Sequence, residues 1–409
     1  MTLLGKRSLH QKDLLMSFKS LGQKQENFIP HSIKGPIIKI ALVANEPPPY
    51  RVPVFNRIAA YPDISFQVIF CCRREPNRFW NLPPMNFDHV YLNERIKTVD
   101  GRYIHNNPDV FEKLKTFSPD VVVTNGFNPT HLYAFAYASA KRLAYVPMTD
   151  GTLISEQALS GVHRMVRRLV YARADAYAYA SLGGKKLYED YGVNSQHCFQ
   201  SHLCTDNAAF GTMRLEDDKR YDFIFCGRME AGKNPLFALD VASEVAKRLG
   251  RKVSILFVGS GSQLEMIKKA AELRPDQVEA HFYGFAAQEK LPALYHSARV
   301  FLFPTLADVW GVVANEACAA GLPVIASTFA GVAGELVLHD QNGYICELDI
   351  ELWAQRASDL LTQPQLWDRF SKHSLSLVDQ YTFDAAAGGL ADACRHAVKR
   401  RSPFLVASQ

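Results

Sequence analysis

The strongest constraint in this sequence is a rhythm that occurs twice. Short apolar runs, "PIIKIALVAN", "ISFQVIFCC", "DVVVTNG" and "AYVPMTDG", alternate with segments of helical period, "VPVFNRIAAY", "DVFEKLKTF" and "THLYAFAYASAKRL". A strand that is apolar on both faces must be covered on both faces. Runs of this kind between helices therefore predict a parallel sheet with helices on either side. A second series opens at "YDFIFCGRMEAGKNP" and continues through "KVSILFVGSGSQLEMIKKAAEL", "EAHFYGF", "ARVFLFPTL" and "LPVIAST". Between the two series, "ADAYAYASLGGKKLYEDYGV" gives one more strand and helix, and the small and charged residues of "DNAAFGTMRLEDDKRYD" read as a linker. The fold class expected is α/β, with two Rossmann-like domains over 36–205 and 206–383 whose parallel sheets face a central cleft. A basic extension over 1–35 precedes them. A helix and tail over 384–409 follow and are expected to cross back to the first domain. Ligands of such sheets gather at the carboxyl ends of the strands, so the loops directly after strands are the ones to search.

Composition narrows the function classes. The net charge of +5 in 409 residues is too mild to argue for nucleic acid. No apolar run approaches the ~18 residues needed to cross a bilayer. The first 35 residues carry six Lys/Arg against two Asp/Glu and no continuous apolar segment, unlike a secretory signal. The eight cysteines form no C-x-x-C pair, which suits a reduced, cytoplasmic protein rather than a disulfide framework or zinc site.

Three loops carry chemistry. In "FIFCGRMEAGKNP", Gly227 turns the chain after a strand, Arg228 and Lys233 follow, and Asn234 opens the next helix. Two cations between a strand end and a helix start suit a pyrophosphate, which Arg grips at two oxygens and Lys meets as a point charge. In "FVGSGSQLEMI", Gly259 and Gly261 follow a strand, but Leu264 stands where a dinucleotide fingerprint needs a third Gly. These glycines either let a backbone approach a base, ribose or phosphate, or simply make a turn. In "FPTLADVWGVVANEACAAGLPVIAS", Asp308 lies in a strand-end loop and Glu316 in the first turns of the helix that follows. Glu316 can accept both hydroxyls of a ribose. The N–H groups around Gly311, Val312 and Val313 point a positive helix end into the cleft. Asp308 is placed to meet sugar hydroxyls, and Ala317, Ala319 and Ala320 let the helix sit close to its sheet.

"D-x-W-G-x-x-x-x-E-A-x-A-x-G-x-P-V-I-x-S" resembles the carboxylate-x7-carboxylate signature of family 4 glycosyltransferases of the GT-B fold. "GRMEAGKNP" is similar to their G-R-x-x-x-x-K motif, and "GVAGELVLHDQNGYIC" to the segment that follows. "EPPPYRVPVFNRIA" and "HLCTDNAAF" resemble the opening and hinge of bacterial members. The likeness covers roughly Ile37 to Leu390. It implies a retaining, metal-independent enzyme of cell-surface glycan biosynthesis that uses a nucleoside-diphosphate sugar and needs no other cofactor. Arg228 and Lys233 would stabilise the leaving diphosphate, Glu316 would bind the ribose, and Asp308, where the family usually has Glu, would stand near the donor sugar. Fixed cations where charge develops lower such a barrier.

The first domain would hold the acceptor, a glycan or lipid-linked glycan, through Tyr50, Arg51, Asn56 and Asn125. Asn125 stands where many relatives have His, and His131 falls further on, in a helix. Asp150, after another strand, is a candidate acceptor contact or general base. In "GVHRMVRRLVYARAD", Val162, Met165, Val166, Leu169 and Val170 share a helical face, with His163, Arg164, Arg167, Arg168 and Arg173 around it. Such a helix either covers the core or rests on an anionic membrane surface through 162–173, peripherally at the inner face of the plasma membrane. Two further readings stay open: a GT-B epimerase or phosphorylase, and a catalytically silent nucleotide-sugar-binding scaffold.

Overall fold

Every apolar run becomes a strand, and the helical-period segments become the helices between them. The computed structural model describes residues 36–76, 78, 81–99, 102–211 and 219–401; the basic extension over 1–35 and the middle of the linker lie outside them. The first lobe runs β1 (Ile38–Ala44), α1 (Val52–Ala59), β2 (Ile64–Phe70), β3 (Asp88–Tyr91), β4 (Ile96–Val99), β5 (Arg102–His105), α2 (Val110–Phe117) and β6 (Val121–Thr124). It continues with α3 (Pro129–Ala140), β7 (Ala144–Thr149), α4 (Gly161–Tyr171), β8 (Tyr177–Tyr179), α5 (Leu182–Asp190) and β9 (Cys198–Gln200), after which the short α6 (Asn207–Gly211) already packs on the second lobe through Phe210. The second lobe runs β10 (Tyr221–Cys226), α7 (Pro235–Leu249), β11 (Val253–Val258), α8 (Leu264–Glu272), β12 (Val278–Gly284), α9 (Leu291–His296) and β13 (Ala298–Phe303). It closes with α10 (Val312–Ala319), β14 (Val324–Ser327), β15 (Gly343–Cys346), α11 (Ile350–Thr362) and α12 (Pro364–Val378), and a last helix, α13 (Phe383–Arg401), follows.

The sheets have orders β3-β2-β1-β6-β7-β8-β9 and β12-β11-β10-β13-β14-β15. All pairings within them are parallel. The order reverses at β1/β6 and at β10/β13, the points where a doubly wound sheet opens a crevice at its strand ends. The antiparallel hairpin β4–β5 breaks the alternation and has no counterpart in the sequence pattern. Leu42, Val68, Val123 and Val146 from the first sheet are fully buried, as are Ile224, Leu256, Phe301 and Val324 from the second.

Helix α13 leaves the second lobe and completes the first. Its Ala386, Ala387, Leu390, Ala391, Cys394 and Ala397 join the cluster that buries β1, β2, β6 and β7. Small side chains allow that close seat. Arg395 fixes the helix by gripping both oxygens of Asp63 at 2.8 and 2.9 Å.

Candidate functional site

The residues expected on the donor side converge at the switch point of the second sheet. The loop after β10 and the loop after β13 are stitched together where Gly232 O accepts from Leu306 N (2.9 Å) and from Thr305 Oγ1 (3.1 Å). This brings Lys233, at the end of the 3-10 turn Ala231–Lys233, to 2.5 Å from Asp308 Oδ2. Asn234 takes the left-handed conformation (φ 56°) that redirects the chain into α7, with no capping bond from its side chain. Arg228 is exposed beside the same strand ends and forms no ion pair among the described residues. Glu230 accepts from Ser262 Oγ (2.6 Å) and N (3.0 Å), which holds the loop after β11 against the one after β10.

Gly259 is required at a close approach of two strand ends. Its φ is +130°, and a Cβ there would lie 1.9 Å from Gly227 O. The close approach that demands glycine is made by the chain's own neighbouring strand end. Gly227 N donates to Val258 O (2.9 Å) and Gly259 N to Gly284 O (2.7 Å), so the ends of β10, β11 and β12 form one tied ledge.

Glycine is also required at Gly311, the residue before α10. Its φ is +104°, and a Cβ would meet the Phe303 ring at 2.5 Å. Val312 and Val313, half-buried, open the helix. Trp310 is wholly buried and donates to Asn315 Oδ1 at 2.7 Å. Glu316 lies one turn into α10, 6% exposed. Tyr295 donates to its Oε2 at 2.9 Å, and Gln288 reaches its Oε1 at 3.5 Å. Burial pushes its carboxyl up to about 7 against the stabilising Tyr295 and Gln288 bonds. Tyr295 and Gln288 were not singled out from sequence; a tyrosine in a short helix after a strand gives no distinguishing signal.

On the first lobe the residues expected to face the acceptor divide. Arg51 is buried and spent on structure: it donates to Ser201 O (2.9 Å), Ser201 Oγ (3.1 Å), His202 O (3.3 Å) and Asp150 Oδ1 (2.7 Å). Asp150, a candidate base, is thus the counter-ion that anchors Arg51. Asn56 does not face the cleft; within α1, its amide donates to Pro84 O (2.9 Å) and accepts from Asn86 N (2.7 Å), pinning the loop before β3. Tyr50 packs against the core of the second lobe, and burial, with the nearby Asp150 charge second, pushes its phenol up to about 12. Asn125 sits exposed at the end of β6. His131 is buried in α3, held neutral by desolvation, which lowers it to about 3.

A cleft of about 530 Å³ separates the lobes, with Thr152, Leu153 and Lys186 on one wall and Asp308, Phe329 and Glu335 on the other. Glu335 crosses it: its carboxylate accepts from Leu182 N (2.7 Å), at the start of α5, and from Gln200 Nε2 (2.8 Å). Its segment, quoted in the family-like run "GVAGELV", gave no hint of a bridging role. Helix α4 turns Val162, Met165 and Leu169 outward at 65%, 62% and 49% exposure; Val170 is buried and Val166 half-buried. Arg167 is not a free surface cation. It pairs with Glu156 at 2.8 Å and lies 4.2 Å from the Phe127 ring centroid. All eight cysteines are free thiols. Among the described residues, no helix is long and apolar enough to cross a membrane.

Residues 213–375 match the family described as Glycosyl transferases group 1. The matched span holds Arg228, Lys233, Asp308 and Glu316 and both loops of the second switch point. An uncharacterised glycosyltransferase of Methanocaldococcus jannaschii is 30% identical over 129 residues, 32% of this chain and 32% of that protein. A D-inositol 3-phosphate glycosyltransferase of Frankia alni is 29% identical over 204 residues, 47% of this chain and 49% of that protein. The chain thus spans about a third to about half of the length of these relatives. Anabaena Alr3699/HepE, solved in complex with UDP, superposes with a TM-score of 0.68 at 16% identity, over 87% of this chain and 99% of that one. At that identity the likeness speaks for the fold: two Rossmann-like domains with parallel sheets, as in GT-B glycosyltransferases.

Proposed function

We propose that this protein is a retaining, metal-independent glycosyltransferase that moves a sugar from a nucleoside diphosphate to a glycan acceptor, polysaccharide or lipid-linked. The observation that carries this reading is the meeting of Lys233, Asp308, the α10 N-terminus and Glu316 at one sheet switch point, within a matched glycosyl transferase group 1 span. In the transfer, the bond from the sugar's anomeric carbon to the diphosphate breaks and a bond to an acceptor hydroxyl oxygen forms. The nucleoside diphosphate leaves with the electron pair, and its leaving oxygen takes up the proton that the hydroxyl releases. Arg228 and Lys233 offset the charge that builds on the leaving oxygen, aided by the α10 N–H groups. Glu316 receives the ribose hydroxyls.

The Lys233–Asp308 pair adds a step. A diphosphate entering the crevice takes over Lys233, and Asp308 is released to the sugar hydroxyls. Tyr50 and Asn125 remain the acceptor-side candidates, while Arg51 and Asp150 together hold the wall that carries them. Helix α4 is proposed to rest on an anionic membrane surface at the cytoplasmic face.

The test is a screen of UDP-, GDP- and ADP-sugars with mass analysis of products, followed by Lys233→Ala. Transfer is expected to fall by about 10²–10³-fold in that variant while the chain stays folded, as read by circular dichroism. Undiminished turnover would refute the site. Epimerised donor without acceptor would favour the epimerase reading.

A further inference from the structure

A cavity of about 320 Å³ lies on the first lobe beside the cleft. Helix α5 is the wall between the two. Its Leu182 and Lys186 line the cleft, and Leu187, Asp190 and the following Tyr191 line the cavity. Leu153 borders both. Helix α4 adds Arg164 and Arg168, four residues apart and so neighbours on one side of that helix. They lie about a third of a turn from the outward row of Val162, Met165 and Leu169, so the cavity and that row are separate faces.

The polar groups of this cavity are incompletely used. Arg164 spends one bond on Gln157 O (3.0 Å), and the Arg168 guanidinium makes no hydrogen bond or ion pair among the described residues. Glu156 meets Arg167 through Oε1 at 2.8 Å, but its Oε2 is buried with no hydrogen-bond partner among the described residues. Asp190 has no cationic partner among them either. A buried acceptor left unmet is costly, and a ligand donor that reaches it offsets that cost.

Simple occupants leave part of this lining unanswered. Inorganic phosphate would meet the guanidiniums but set its charge against Glu156 and Asp190. An apolar group would strip water from charges and give nothing back. A neutral sugar could donate hydroxyls to the carboxylates and lay its C–H face on Tyr191 and Leu187, leaving the guanidiniums without an anion. A sugar ring that bears a carboxylate or phosphate answers all three. The volume, at the small end for ligand sites, suits one such ring. We infer that the cavity is a second sugar site, for a sugar unit carrying an anionic group. Arg164 and Arg168 hold the anion, Glu156 and Asp190 accept from hydroxyls, and Tyr191 carries the ring. The unit is either a free anionic sugar or one residue of a glycan that runs over Leu153 into the cleft; only the second source rests on the glycosyltransferase reading.

The experiment is saturation-transfer NMR on the full chain with glucuronate, glucose 6-phosphate and glucose. At least one of the two anionic sugars is expected to bind about tenfold more tightly than glucose. Equal inorganic phosphate should not displace it, nor should saturating UDP, GDP or ADP, because Arg228 and Lys233 lie on the other lobe. Arg164→Gln/Arg168→Gln should erase the preference over glucose while circular dichroism stays that of the wild type, and Arg168→Lys should keep part of it. No preference over glucose, a preference that survives the double variant, or displacement by phosphate or nucleotide overturns the inference. A chain that binds no nucleotide yet keeps the anionic sugar loses the donor site and not this one. A tetrasaccharide of alternating glucuronate and N-acetylglucosamine separates the sources. Tighter binding than the single sugar, weakened by Lys186→Glu, marks a glycan entering the cleft; equal binding that ignores Lys186→Glu marks a free anionic sugar.

Discussion

At the scale of single residues, the site is governed by two buried or half-buried carboxylates in opposite circumstances. Asp308 is neutralised by Lys233, and a partner exchange on donor binding has a measurable consequence. Asp308→Asn frees Lys233, so nucleoside diphosphate should bind about three- to tenfold more tightly while transfer slows. Calorimetry beside turnover checks both; weaker binding would reject the exchange. The ~1–3 kcal/mol such a half-buried pair carries is enough for that range. Glu316 instead has no cationic partner among the described residues. Its ordinary value of 4.5 rises to about 7 in the fold, chiefly through burial. Between those values the unfolded chain ionises while the folded one keeps its proton. The group's contribution to stability is therefore fullest below pH 4.5 and is lost as pH rises to about 7. Glu316→Gln should then melt higher than wild type at pH 8, by on the order of 1–3 kcal/mol, with the gap closing toward pH 4.5. A gap independent of pH, read by thermal denaturation, would refute the burial of a charge there. The same variant should bind nucleotide poorly, since an amide presents one acceptor where the ribose needs two.

At the scale of elements, α4 shows how far a pattern reaches. The apolar set Val162, Met165, Val166, Leu169, Val170 was legible as one face, but a helical wheel does not say which side the core lies on. In the fold, the Val166–Val170 edge points inward together with Arg167 and Tyr171, and Val162, Met165 and Leu169 face out. Flotation with vesicles carrying anionic lipid should bring the protein up at low salt, and Arg164→Glu/Arg168→Glu should abolish it. Indifference of the wild type to lipid charge would reject the membrane contact. Loops show the converse limit. "GRMEAGK" and "ADVWGVVANE" each displayed a strand end, a glycine and charges, because loop chemistry is local. That Lys233 meets Asp308, or that Gly259 answers to Gly227, depends on strand order, and neither loop encodes it.

At the scale of the molecule, the lobes are tied by the chain and by Glu335. The chain crosses after β9 and returns through α13, whose alanine-rich face fills the core of the first lobe. Glu335 reaches from the second lobe to Leu182 N and Gln200, and its own segment is bound to the Asp308 loop where Gly331 N meets Asp308 O (2.9 Å). It thus couples the placement of Asp308 to the seating of the lobes. Glu335→Ala should enlarge the radius of gyration in small-angle scattering and lower kcat with nucleotide affinity preserved. An unchanged radius together with unchanged kcat would deny the coupling. By itself the sequence determined the two α/β sheets, the strand-end loops and the residue types of the candidate site. Those follow from period and local chemistry, which neighbouring residues set among themselves. The tertiary structure alone decided that Arg51 and Asp150 hold each other, that Asn56 serves a loop, that α4 faces water with its apolar row, and that Glu335 spans the cleft. Each of these is a contact between residues far apart in the chain, fixed by how sheets and helices stack.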